Sequence, residues 1–313
     1  MTESAFTRDY YGQALVELGA EMPNLVVLDT DLSSSTRTSK FASAYPDRFF
    51  NCGIAEQNSM GIAAGLSKTG KVVFVSSFAM FATGRAWEQI RNSIVYPRFN
   101  IKIAATHAGI TVGEDGASHQ ALEDIAIMRA IPYLNVLVPA DAIETKQMVK
   151  AIAKADGSYY LRMSRGSTPV IFNDNEYNFT IGKSPVLRQG SDVSIMAAGI
   201  MVEMALQAAK HLEKENIKAS VVNISSIKPI DVDTIVSVAK STGAVVTAEE
   251  HSIYGGVGSA VAEVLIQNYP VPMEMVGIKG IFGESGKPTD LLKKYKLTTP
   301  EIITKIKKVL DRK

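Results

Sequence analysis

The sequence predicts an α/β protein of two domains, each with a predominantly parallel sheet flanked by helices. Strand-length runs of β-branched apolar residues alternate with helix-length stretches, the pattern of successive βαβ units. The alternation lapses between 165 and 192, in a stretch rich in Gly, Pro, Asn and Asp, and then restarts. A length of 313 residues suits two domains of ordinary size. The expected division is a first domain over 1–170, a linker over 171–190 and a second domain over 191–313.

In chain order, the first half reads as a helix over 8–22, a strand over 25–29, a Ser/Thr-rich loop over 32–38 and a short strand near Phe49. A helix over 56–69 leads to a strand over 71–76 and a helix over 84–96. The strand over 101–105 follows, then a helix over 122–129, a strand over 135–138, a helix over 142–155 and a strand over 159–163. The second half reads as strands over 193–197, 219–223 and 244–248, with helices over 201–215, 231–240, 257–267 and 299–310. Parallel sheets place their ligands in the loops at the carboxyl ends of the strands. The polar residues just after each strand are therefore the candidates for chemistry.

Bulk properties exclude several classes. Lys plus Arg (33) nearly balances Asp plus Glu (32), so no overall attraction to nucleic acid or to an anionic membrane is expected, and any bound anion must be held locally. No run approaches the ~18–20 apolar residues that span a bilayer. The first eleven residues carry Glu3, Arg8 and Asp9 and lack the apolar stretch of a signal peptide. The lone Cys52 precludes an intrachain disulfide, and four histidines form no zinc-type pattern, so no metal ligands are expected from this chain. A cytoplasmic enzyme or enzyme subunit fits.

The most informative stretch runs from Thr106 to Gln120, leaving a predicted buried strand. It holds His107 and His119, half of the chain's histidines, with Asp115 and three glycines between them. A lone histidine there would read as a cap in a solvated loop; two with an aspartate read as an active-site loop. In Gly53-Ile54-Ala55-Glu56-Gln57, Glu56 opens a helix of mostly small or apolar residues. Its carboxylate either is poorly solvated and shares a proton near neutral pH, or merely complements the helix N-terminus. Phe78 and Phe81 after the next strand are either a stacking wall for a flat heterocycle or plain core. The hydroxyl-rich stretch from Asp29 to Arg37, with Arg8 and Arg165, suits a phosphate, although each arginine alone reads as a surface charge. The Gly255-Gly256-Val257-Gly258 run is set apart from its strand by a polar stretch over 249–254. It reads as a tight turn with close helix packing, not a dinucleotide fingerprint. The second half otherwise offers only His251 and Tyr254 as strand-end groups, and subunit contact is its expected role.

Taken together, these segments resemble the carboxy-terminal half of transketolase, in order and along nearly the whole chain. His107 to Gln120 is similar to the family's loop of a His, a Gly-Glu-Asp-Gly core and a second His-Gln, and Gly53 to Gln57 to the motif holding the glutamate common to thiamin diphosphate enzymes. The resemblance implies that Glu56 hydrogen-bonds the aminopyrimidine nitrogen N1′, favouring the imino tautomer that removes the thiazolium C2 proton. Phe81 would stack on the aminopyrimidine, with Phe78 and Asp31 lining the same pocket. His107, Asp115 and His119 would contact the sugar, and Arg8, Ser35 and Arg165 its phosphate. The reaction implied is transfer of a two-carbon ketol unit between sugar phosphates, with xylulose 5-phosphate the expected donor and ribose 5-phosphate the acceptor.

Two departures qualify it. Where many relatives carry a Tyr after the stacking Phe, this chain has Gly84. The Gly-Asp-Gly segment that binds magnesium and the cofactor's diphosphate in the amino-terminal half of full-length transketolases is absent. The resemblance therefore implies a separate amino-terminal partner subunit that holds the Mg2+ ion, in an α2β2 heterotetramer. A deoxyxylulose-phosphate-synthase-like subunit, another sugar ketol transferase and a non-catalytic scaffold of the same fold are the alternatives.

Overall fold

The uninterrupted burial of Leu25–Asp29, Val72–Phe78 and Ile101–Ala108 is what a parallel sheet covered on both faces requires. In the computed structural model, which describes residues 3–313, these strands form the centre of a seven-stranded sheet. Its order is Ser226–Lys228, Asn135–Leu137, Tyr159–Ser164, Ile101–Ala108, Val72–Phe78, Leu25–Asp29 and Phe49–Asn51. All neighbours are parallel except the first pair, where Ser226–Lys228 runs antiparallel to Asn135–Leu137.

The second half builds a five-stranded sheet in the order Met273–Ile278, Val245–Ser252, Val193–Ala197, Ala219–Asn223 and Val186–Arg188. Only Val186–Arg188 is antiparallel to its neighbour, and it lies within the stretch expected to be linker. The rest of that stretch is tied down: Asp141 accepts from the backbone N–H groups of Ile171 and Phe172, and Tyr177 donates to Glu144 at 2.6 Å. One apolar cluster runs through both halves, from Val73 and Ile103 to Val222 and Val245.

Several element readings are corrected. The expected helix over 84–96 is three pieces, Ala79–Arg85, Trp87–Gln89 and a π-helical turn Ile90–Val95, because Ala86 leaves helical geometry. The Ser/Thr loop over 32–38 holds a helical turn, Ser33–Thr36, wound around the buried carboxylate of Asp29. The strands over 71–76 and 101–105 extend to Phe78 and Ala108, so Phe78 and His107 belong to the strands themselves. The strand Met273–Ile278 and the helix Pro288–Lys294 were not foreseen. A two-stranded ribbon, Ser4–Phe6 against Ser167–Pro169, ties the start of the chain beside Arg165, so the helix Thr7–Glu21 begins next to the sheet's carboxyl edge.

Candidate active site

Four adjacent strands deliver the expected groups to one edge: Arg165 after Tyr159–Ser164, His107 near the end of Ile101–Ala108, Phe78 closing Val72–Phe78, and Asp31 after Leu25–Asp29. His107 is the hub. It is buried, takes a left-handed backbone conformation (φ 59°), and stacks on Phe78 with ring centroids 3.8 Å apart. Arg8 Nη1 lies 3.5 Å from its Nε2, and Thr106 Oγ1 lies 2.8 Å from its Nδ1. A guanidinium only donates, so Nε2 accepts and the ring proton sits on Nδ1, facing the threonine. Burial, reinforced by Arg8, Arg165, His119 and Arg37, holds the imidazole down to about 3. It is neutral at physiological pH and sits in a cationic field.

Arg8 also donates to the Ser35 carbonyl at 3.1 Å, which ties Ser35 into the cluster. Burial and the neighbouring Arg37 lower Arg8 from the usual guanidinium value. Arg165 is engaged with the histidine loop, donating to the Val112 carbonyl and to Glu114 Oε2 at 3.3 Å. Asp115 stands exposed at the end of the turn Ile110–Asp115. Asp31, also left-handed (φ 66°), accepts from Asn51 Nδ2 at 2.9 Å. Its position follows from Asp29, whose carboxylate accepts from Leu32 N–H and from the Thr36 and Thr38 hydroxyls within 2.8 Å.

The aromatic residues form one group. Phe81 packs near Phe78 at 5.9 Å and meets the edge of His119 at 5.1 Å. Glu56 opens the helix Glu56–Lys68, is buried, and turns its oxygens toward Arg85 Nη1 at 3.4 and 3.5 Å. The same guanidinium lies 4.7 Å from the Phe81 ring centre. Arg85 was missed as a site residue; its i+4 spacing from Phe81 on a helix is the signal that places both on one face. Gly84 is exposed, and a Cβ there would touch only the tip of Met80 at 3.7 Å, so that wall is open.

In the second half, the Gly255–Gly258 turn starts the helix Val257–Asn268. Glu249 accepts from Val257 N–H at 2.7 Å and Gly258 N–H at 2.8 Å, filling with an internal carboxylate the place a nucleotide phosphate would take. His251 is buried and caps another helix, accepting at Nε2 from Ile125 and Ala126 N–H. It therefore faces inward to the first half. Among the described residues no helix is long and apolar enough to cross a membrane, and no group of three or more His, Cys, Asp or Glu side chains could hold a metal ion.

Residues 3–170 match the family model for the transketolase pyrimidine-binding domain, and residues 182–302 that for the transketolase C-terminal domain. The chain belongs to the transketolase family. A putative transketolase C-terminal section of Methanocaldococcus jannaschii is 52% identical over 301 residues, covering 96% of this chain and 94% of the relative. The 6-deoxy-6-sulfo-D-fructose transketolase subunit of Clostridium sp. strain MSTE9 is 40% identical over 311 residues, covering 99% and 96%. A solved structure described as a split-gene transketolase, an inactive β4 tetramer, superposes with a TM-score of 0.92 at 56% identity and covers 98% of each chain.

Transketolase membership implies thiamin diphosphate, and the transketolase fold here offers a fitting seat for its pyrimidine. Arg85 places a flat, hydrogen-bonding cation across the Phe81 face with its edge on the Glu56 carboxylate. A planar aminopyrimidine needs the same two surfaces, an aromatic face and a carboxylate at its rim.

Proposed function

We propose that this chain is the C-terminal subunit of a split transketolase that moves a two-carbon ketol unit from a ketose phosphate, with xylulose 5-phosphate the expected donor, to an aldose phosphate. The observation that carries the reading is the neutral His107 set among Arg8, Arg37 and Arg165 beside the Phe81–Glu56 seat. Bound thiamin diphosphate would supply the carbanion chemistry, as an electron sink that no side chain provides. This chain's part is to hold and to orient. Glu56 would hold a proton shared with the pyrimidine nitrogen, Phe81 would fix the ring plane, and Phe78 and Asp31 would line its flank. His107, whose unprotonated Nε2 faces Arg8, can accept a hydrogen bond from a sugar hydroxyl, and His119 can contact a second one. Asp115, exposed on the same loop, would take a hydroxyl near the reacting carbon, while Arg8, Ser35 and Arg165 would bound the phosphate.

The diphosphate and its Mg2+ are assigned to an amino-terminal partner subunit in an α2β2 assembly in the cytoplasm. The relative described as an inactive β4 tetramer supports the need for a second chain. The sulfosugar relative favours a second reading, in which the donor is a ketose with another anionic terminus, because the same arginines would serve a sulfonate. The test is thiamin-diphosphate-dependent ketol transfer from xylulose 5-phosphate to ribose 5-phosphate by this chain copurified with its companion. Activity requiring both chains, and abolished by Glu56→Ala without loss of assembly, is expected. Full activity of the isolated chain, or normal turnover of the Glu56→Ala complex, would overturn the proposal.

A further inference from the structure

The strand Val245–Ser252 ends in three consecutive buried ionisable residues, Glu249, Glu250 and His251. Two of them cap helices, Glu249 on Val257–Asn268 and His251 on Asp124–Arg129. Glu250 instead reaches the start of the turn Ile110–Asp115. Its carboxylate crosses to the first half, where Oε1 accepts the Thr111 backbone N–H at 2.6 Å. It fills the space over Gly109, where an added Cβ would come within 2.3–2.5 Å of all three carboxyl atoms. Gly109 has φ 86° and ψ −175°, a conformation open only to glycine. The loop between His107 and His119 is thus shaped to receive this one side chain.

The Glu250 main chain is itself held. Arg162 Nη2 donates to the Glu250 carbonyl at 2.9 Å, and Arg162 Nε to Asp124 at 2.7 Å. The far end of the same loop is gripped from the second half too, with Gln120 Nε2 donating to the Glu284 carbonyl at 2.9 Å. Between these two anchors lies Val112, whose carbonyl receives Arg165.

We infer that Glu250 is a positioning residue for the substrate loop: the second half sets the geometry of His107, Arg165 and His119 by anchoring Gly109–Thr111 from across the interdomain seam. Its charge would not reach the sugar; it acts through the Thr111 amide. The inference rests on the functional reading above, so its test has one arm that needs no turnover. In the chain alone, hydrogen exchange of residues 107–120 is compared between wild type, Glu250→Ala and Glu250→Gln. The Ala variant leaves the Thr111 N–H without an acceptor and should exchange faster across this loop, whereas Gln keeps an oxygen and should resemble wild type. Equal exchange in all three overturns the inference, whatever the enzyme's reaction proves to be.

The second arm uses the assembled enzyme. Glu250→Ala should lower kcat/KM for the sugar phosphates by about 10- to 100-fold, because small misplacements of orienting groups act on that scale. Thiamin diphosphate affinity should stay unchanged, since neither Glu56 nor Phe81 touches Glu250, and Glu250→Gln should restore most of the loss. Equal damage in Ala and Gln, or a matching loss of cofactor affinity, would mark Glu250 as a general stability residue and sink the positioning role.

Discussion

Substituting Asp124→Asn removes one charge from a fully buried ion pair while keeping its shape. Asp124 accepts from Arg162 Nε and from the Tyr160 hydroxyl, both at 2.7 Å, and both charged side chains are shielded from water. Burial pushes the Asp124 carboxyl up, but Arg162 and His251 outweigh it and hold the group below the usual carboxylate range. After the substitution Arg162 keeps its carbonyl partners but loses its counter-charge. Leaving one half of such a pair uncompensated costs ~3–5 kcal/mol. The lower end, about 3 kcal/mol, is expected because Asn retains an acceptor oxygen and Glu250 also favours the charged Arg162. With a urea dependence of ~3 kcal/mol per molar, the unfolding midpoint should fall by about 1 M. The assay is built in: the single tryptophan, Trp87, donates its indole N–H to the Ile127 carbonyl on the helix that Asp124 begins, so its fluorescence follows this region. The double substitution Asp124→Leu with Arg162→Met should recover most of the loss, since no buried charge remains. A cost below ~1 kcal/mol for Asp124→Asn would refute the claim that the pair balances charge at this seam.

Arg85→Ala should tighten thiamin diphosphate binding by the assembled enzyme ~5- to 30-fold, because a half-exposed ion pair and a cation–π contact, together about 1–2 kcal/mol, no longer compete for the seat; calorimetric titration reads it, and weaker binding would show that Arg85 helps hold the cofactor. His251 is held down to about 4 by burial, below its unfolded value of 6.5, so the unfolded chain takes the proton first and stability is lost as pH falls from 6.5 toward 4. His251→Gln cannot take that proton, and its stability deficit should shrink by ~1.4 kcal/mol per pH unit across this window, whereas a constant deficit would contradict the assignment. Burial raises Glu144 and Glu249 to about 7, a contribution complete below their unfolded value of 4.5 and lost as pH rises through 7; urea unfolding should show wild type softening on that side, less so in Glu144→Gln. Gly256→Ala would set a Cβ 2.0 Å from Glu249 Oε2, and scanning calorimetry should register a loss of ~1–3 kcal/mol.

Most of the sheet framework was legible because fully buried parallel strands are rich in apolar, β-branched residues, as over the start of Val72–Phe78. Met273–Ile278 escaped because it mixes Met, Glu and Gly with only two β-branched residues and follows a Pro-rich turn. In the site, His107, Phe78 and Asp31 were findable from their positions at strand ends. Glu250 was not, since its contact with Thr111 joins residues 139 apart and nothing local marks it. Arg85 lay between: its helical spacing from Phe81 was readable, but its approach to Glu56 depends on how two helices pack. The break at Ala86 was hidden for the opposite reason, because Ala86 and Trp87 are ordinary helix formers whose path is set by packing.

The strand Ser226–Lys228 bears on how this polypeptide is made. Until residue 228 has left the ribosome, Asn135–Leu137 is a bare edge, and the Val138 N–H lacks the Ser225 carbonyl that later takes it at 2.8 Å. At ~5–20 residues per second the wait after residue 170 lasts several seconds, long enough for an open edge to find another nascent chain. A gene cut at the boundary between the two matched domains would make that wait permanent, which makes the seam a poor place to divide this chain even though it is where its family models divide.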